Sequence, residues 1–178
     1  MACQRLFLPY RLVMGVLVSE RGILSTVKER LTEQYGPVFS ETIPEPFRYT
    51  DYYNEEMGGT PLRLYLCFLH LVDPARLASI KMETNSLEQE FSEQGSRRVN
   101  LDPGLLSSAN LILATTKNRS HRIPLQDGIY GELTLLYARK HFQSFPWTYA
   151  DYKSDEVKQL FSAWRGDYRR QLKQEGYI

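Results

Sequence analysis

The run Leu12-Val13-Met14-Gly15-Val16-Leu17-Val18 constrains the fold more than any other part of the chain. Seven consecutive residues without a polar side chain leave no face for water, so a strand made from them must be covered on both faces. The run is too short to span a bilayer, which takes about 20 apolar residues. Arg5 and Arg11 precede it in the manner of a secretory leader. However, Pro9 and Arg11 interrupt the approach, and Ser19-Glu20-Arg21 is not a small-x-small cleavage site. The run therefore reads as a buried central strand.

The remaining segments supply its neighbours. Ser19 opens a helix that reaches about Tyr35, striped by Leu24, Val27 and Leu31 and stopped by Gly36-Pro37. Val38–Ile43 predicts a second strand, ended by Pro44 and Pro46. Residues 50–59 are polar and have no period. Leu62, Leu64, Leu66 and Phe68 then alternate with Arg63, Tyr65 and Cys67, the pattern of a half-buried strand. Asp73-Pro74 starts a second helix with Leu77, Ile80, Leu87 and Phe91 on one face and Gly95 at its end. Arg98–Leu101 predicts a short strand running into a turn at Asp102-Pro103-Gly104.

Strand, helix, strand, strand, helix, strand is the ferredoxin-like order. The C-terminal part of the chain reads as a meander: Leu111–Thr115, Arg122–Leu125 and Ile129–Tyr137, with Asp127-Gly128 as a hairpin turn and Phe142–Phe145 as an edge. Ser154 caps a final helix striped by Phe161, Trp164, Tyr168 and Leu172. No repeat or linker divides the chain. The expectation is a single α+β domain over residues 1–178: a mainly antiparallel sheet with a ferredoxin-like βαββαβ core, extended by a β-meander and a C-terminal helix.

Composition narrows the function classes. Twenty-two basic side chains stand against 21 acidic ones, for a net charge of +1. Nucleic-acid affinity rests on excess positive charge, so no nucleic-acid partner is expected, and no membrane partner either. Cys3 and Cys67 are too far apart for a metal knuckle or a disulfide framework and read as reduced thiols of a cytoplasmic protein. The phosphate loop Gly-x-x-x-x-Gly-Lys-Ser/Thr is absent, as are Gly-x-Gly-x-x-Gly, Gly-x-Ser-x-Gly, His-Glu-x-x-His and paired Cys-x-x-Cys. No cofactor is indicated, and enzyme status stays open.

Four segments carry polar groups in useful patterns. On a strand, Arg98, Asn100 and Asp102 share one face and can orient a polar ligand. Residues 115–122 place Lys117, His121 and Arg122 together, suited to phosphate or carboxylate, with His121 able to move a proton near neutral pH. Glu132 lies in mid-strand, with Tyr130 and Thr134 on its face and Gly131, Leu133 and Leu135 on the other. It needs a basic partner if buried. Asp51-Tyr52-Tyr53 offers a carboxylate beside two aromatic rings.

Several of these segments also resemble a known family. They are Thr50-Asp51-Tyr52-Tyr53, Arg98-Val99-Asn100-Leu101-Asp102-Pro103-Gly104, Ala114-Thr115-Thr116-Lys117, Ser120-His121-Arg122-Ile123, Asp127-Gly128-Ile129-Tyr130 and Phe145-Pro146-Trp147-Thr148-Tyr149. In these strings the chain resembles a family of small microbial proteins known as a domain of unknown function (DUF4416). The resemblance implies no activity, cofactor or site residue. Proteins similar to this one are sometimes labelled GTP-binding, but Thr116-Lys117-Asn118 is not the Asn-Lys-x-Asp of guanine recognition.

The leading expectation is a pocket for a small anionic or polar ligand, built from Asp51, Tyr52, Arg98, Asn100, Asp102, Lys117, Arg122, His121 and Glu132. If chemistry occurs there, His121 or Glu132 is the general base and Arg98 and Lys117 stabilise charge. Glu132 is expected in a concavity, within reach of Arg98, Lys117 or His121. The alternatives are a non-catalytic interaction module, suggested by 12% aromatic content, a metal held by Asp102, His121 and Glu132, and, more weakly, GTP binding.

Overall fold

The computed structural model describes residues 6–178, so Cys3 and Arg5 lie outside the described residues. In chain order the elements are β1 (Tyr10–Val18), α1 (Leu24–Tyr35), β2 (Val38–Glu41), β3 (Glu45–Pro46), β4 (Leu62–Val72) and α2 (Leu77–Glu90). Beyond α2 come β5 (Val99–Leu106), β6 (Asn110–Thr115), β7 (Ile123–Pro124), β8 (Tyr130–Ala138), β9 (His141–Ser144), the single-turn α3 (Ala150–Lys153) and α4 (Asp155–Gln174).

Among the described residues the strands form one nine-stranded antiparallel sheet in the order β2-β4-β1-β5-β6-β8-β7, with β3 on β4 and β9 on β8. The stretch β2-β4-β1-β5 is the ferredoxin-like arrangement, and the apolar run occupies its centre. Leu12, Met14, Val16 and Val18 pack with Val27 and Leu31 of α1 and Leu77, Ile80 and Leu87 of α2. Val13, on the other face, packs with Phe161 and Trp164 of α4. Three layers result: two helices, the sheet, and the C-terminal helix.

That second helical layer corrects the half-buried reading of residues 62–68. Arg63, Tyr65 and Cys67 are buried too, because α3 and α4 cover their face. Burial pushes the Cys67 thiol up to about 12, so it is an inert part of the core.

Several local signals match the chain's course. Asp73 accepts from the Ala75 N–H, and Ser154 from the Val157 N–H, as helix caps. Asp127 and Gly128 both have positive φ, as a two-residue hairpin turn requires. Other boundaries move. Ser19 does not open a helix; its N–H continues the ladder to the Arg98 carbonyl, and α1 starts at Leu24. β2 stops at Glu41, and α2 ends at Glu90, ahead of Gly95.

The largest correction is at Asp102-Pro103-Gly104. These residues form no turn. β5 runs straight through them, because Gly15, Met14 and Val13 of β1 hold all three in register.

Gly15 is required by what lies on it. A Cβ there would meet Arg63 Nη2 at 2.7 Å and Tyr152 Oη at 2.8 Å. Gly15→Ala is therefore expected to cost about 1–3 kcal/mol through overpacking, read as a lower urea midpoint with an unchanged slope.

Candidate functional site

Pro103 opens the sheet. Pairing between β5 and β6 stops at Gly104↔Leu113. Further back on the same edge, the Leu101 N–H donates to Glu88 Oε1 at 2.7 Å and the Leu101 carbonyl accepts from Lys81 Nζ at 2.7 Å. Leu101, Pro103 and Leu105 thus address the β6 side, and proline has no N–H for the next rung. The strands part there, and two side chains from α2 stand in for the missing strand.

The parting leaves a cleft of about 400 Å³. Asn100, Asp102, Lys81 and Glu88 line it from the β5 and α2 side; Thr115, Lys117, Arg122 and Glu132 line it from the β6–β8 side. Tyr52, Tyr53 and Tyr149 also face it, and they are shared with an adjoining chamber of about 350 Å³ lined by Phe47, Tyr49 and Tyr152.

Glu132 is 1% exposed. Its Oε2 accepts from Arg122 Nε at 2.7 Å and lies 3.0 Å from His121 Nε2. Arg122 passes the constraint on: Nη1 donates to the Lys117 carbonyl at 2.7 Å and Nη2 to the Tyr149 hydroxyl at 3.0 Å. Burial works to lower the Arg122 pKa, but the hydrogen bond and charge of Glu132 outweigh it and leave it raised. Burial pushes the Tyr149 hydroxyl up, against the pull of Arg122.

A bulge sets the face that Glu132 occupies. Leu111 pairs with Leu135 but Ile112 pairs with Leu133, so Thr134 is the extra residue. Glu132 and Leu135 consequently share the α4 face, whereas simple alternation put them on opposite faces. Trp147 Nε1 donates to the Leu133 carbonyl at 3.0 Å, and Thr148 Oγ1 to the Thr134 carbonyl at 2.6 Å.

Of the candidate residues, the cleft gathers Tyr52, Asn100, Asp102, Lys117, Arg122 and Glu132. It does not gather Asp51, Arg98 or His121. Asp51 is exposed and accepts from Asn54 Nδ2 at 2.8 Å. Arg98 is drawn off by ion pairs with Glu20 and Glu93 at the start of β5. His121 sits behind Glu132, stacked on Trp147 at 4.9 Å. Asp102, His121 and Glu132 do not form a metal-ligand group; among the described residues no three His, Cys, Asp or Glu side chains do.

Sequence patterning missed the groups that do most to shape the site. Arg63 is buried and lies 3.1 Å from Asp102 Oδ2 and 2.9 Å from Asp151 Oδ2, and Tyr65 donates its hydroxyl to Asp151 at 2.7 Å. Lys81 and Glu88 were also missed, although their spacing of seven puts them on one helix face. Asn100 accepts from Arg97 Nη1 at 2.7 Å, while its Nδ2 is buried with no partner.

The profile of one protein family matches residues 8–168, nearly the whole chain; it is described as a domain of unknown function, DUF4416. The chain belongs to the DUF4416 family. No curated protein and no solved structure matches it. Among the described residues of this DUF4416 member, no helix is long and apolar enough to cross a membrane.

The buried charges make two outcomes measurable. Glu132→Ala strands the Arg122 guanidinium in a buried setting and is expected to cost about 3–5 kcal/mol in chemical denaturation. For Glu88, burial raises the carboxyl pKa against the pull of Lys81. Its stabilisation is then complete below the unfolded value of about 4.5 and is lost as pH rises through the folded value. Glu88→Gln keeps an acceptor for Leu101. The stability difference between the variant and wild type is expected to shift in favour of the variant as pH rises above about 4.5, read from urea midpoints.

Proposed function

We propose that the protein binds a small ligand bearing an anionic or polar group in the cleft between β5 and β6. The observation that carries this reading is the contrast among the cleft's cations. Lys81 pairs with Glu88, Arg97 with Glu56, and Arg122 with Glu132. Among the described residues, Lys117 has no carboxylate partner; its ammonium lies 3.4 Å from the Tyr52 hydroxyl and 4.7 Å from that ring's centre. A free ammonium on one side and the unpartnered Asn100 Nδ2 on the other present donors for an acceptor-rich ligand.

The reading is one of binding. Glu132 Oε2 already serves both Arg122 and His121, so Glu132 and His121 act as positioning residues for Arg122. The test is thermal shift against a panel of nucleotides (GTP included), sugar phosphates and carboxylates. A ligand at a hundredfold excess over its Kd stabilises by about 2.7 kcal/mol. At least one class is expected to raise Tm, with the rise lost in Lys117→Ala. Silence across all three classes removes the pocket reading.

A second reading is supported by the rings at the cleft mouth. Tyr52 is 63% exposed and Tyr149 47%, a surface suited to a protein partner that offers a carboxylate to Lys117. Recovery of the protein as a concentrated monomer with nothing co-purifying counts against that reading.

A further inference from the structure

The chamber beside the polar cleft carries information about the ligand's other end. Its wall holds six aromatic rings: Phe47, Tyr49, Tyr52, Tyr53, Tyr149 and Tyr152. Some of these rings pack on one another: Phe47 lies edge-on to Tyr53 with centroids 6.2 Å apart, and Tyr52 edge-on to Tyr53 at 5.0 Å. Tyr49 is 49% exposed beside an open volume of about 350 Å³. Rings arranged around a void offer faces and edges whose quadrupoles favour another flat ring over an aliphatic one.

The charge in that chamber points the same way. Among the described residues Arg63 is its one buried cation, and Asp102 and Asp151 already balance it. The guanidinium also lies 5.6 Å from the centres of the Phe47 and Tyr152 rings. An anion placed beside Arg63 would face two carboxylates, so that part of the chamber suits a neutral group. Arg63 lines the chamber, and its Nε is buried without a partner among the described residues. One acceptor on an uncharged ring, such as a phenol oxygen or a ring nitrogen, matches it.

The two chambers meet at Tyr52, Tyr53, Asp102, Lys117 and Tyr149. A ligand whose anionic group engages Lys117 therefore has the aromatic chamber on one side and Asn100 on the other. Resting on the pocket reading above, we propose that the ligand is an aromatic acid. Its flat ring occupies the tyrosine-lined chamber, and a carboxylate or phosphate on a short arm is held by Lys117.

Calorimetric titration of the full chain with matched probes tests this. Phenyl phosphate is compared with cyclohexyl phosphate, and phenylacetate with cyclohexylacetate. The aromatic member of at least one pair is expected to bind about tenfold tighter, and the series that binds identifies the anion. Tyr49→Ala, a substitution at a half-exposed ring, is expected to shrink that ratio about threefold or more. Lys117→Ala is expected to weaken both members and leave the ratio. Equal affinities within both pairs, or a ratio untouched by Tyr49→Ala, overturn the aromatic assignment and leave the pocket standing. No binding by any probe overturns this assignment, and the pocket reading falls only if the broader panel is silent as well.

Discussion

The Arg63 side chain is buried and is balanced by Asp102 from β5 and Asp151 from α3. A buried cation with two carboxylates is poor evidence of stability, because desolvating three charges offsets much of their attraction. It is strong evidence of placement. The side chain leaves β4 next to Gly15, where the absence of a Cβ lets it lie flat on β1. It fixes the direction of Asp102 and pulls α3 onto the sheet, with the Tyr65 hydroxyl completing the hold on Asp151. Tyr149, one residue before α3, is thereby brought to the cleft.

Pro103 acts from the other side of β5. A missing N–H interrupts one rung, and the sheet divides from that point on. On the far wall, the Glu132–Arg122 pair fixes the Lys117 segment and Tyr149. Buried ion pairs thus hold both walls of the cleft, Arg63 with Asp102 and Asp151 and Lys81 with Glu88 on one and Arg122 with Glu132 on the other, while Lys117, which among the described residues has no carboxylate partner, is carried on a loop.

Much of this was legible in the sequence. The apolar run placed β1, the caps at Asp73 and Ser154 placed two helices, and Asp127-Gly128 placed a hairpin, since each of these signals is local. Six of the nine candidate residues line one cleft: alternation along β5 puts Asn100 and Asp102 on one face, and closeness in the chain keeps Lys117 and Arg122 together. What escaped depended on contacts between distant segments. Arg63 reads as the wet face of an alternating strand until α3 and α4 are known to cover it. Asp-Pro-Gly reads as a turn unless β1 holds it straight. Arg98 fits the alternation but is captured by Glu20 and Glu93, and the bulge at Thr134 reverses a face that counting by twos gets wrong.

The substitution of two α2 side chains for a strand at Leu101 has one more consequence. A parted sheet bares a row of backbone donors and acceptors, which is the usual template for recruiting a strand from another molecule and the usual start of aggregation. Here Glu88 occupies the amide and Lys81 the carbonyl of Leu101, and Pro103 offers no amide at all. Along this stretch the edge offers an added strand no free amide at Leu101 or Pro103.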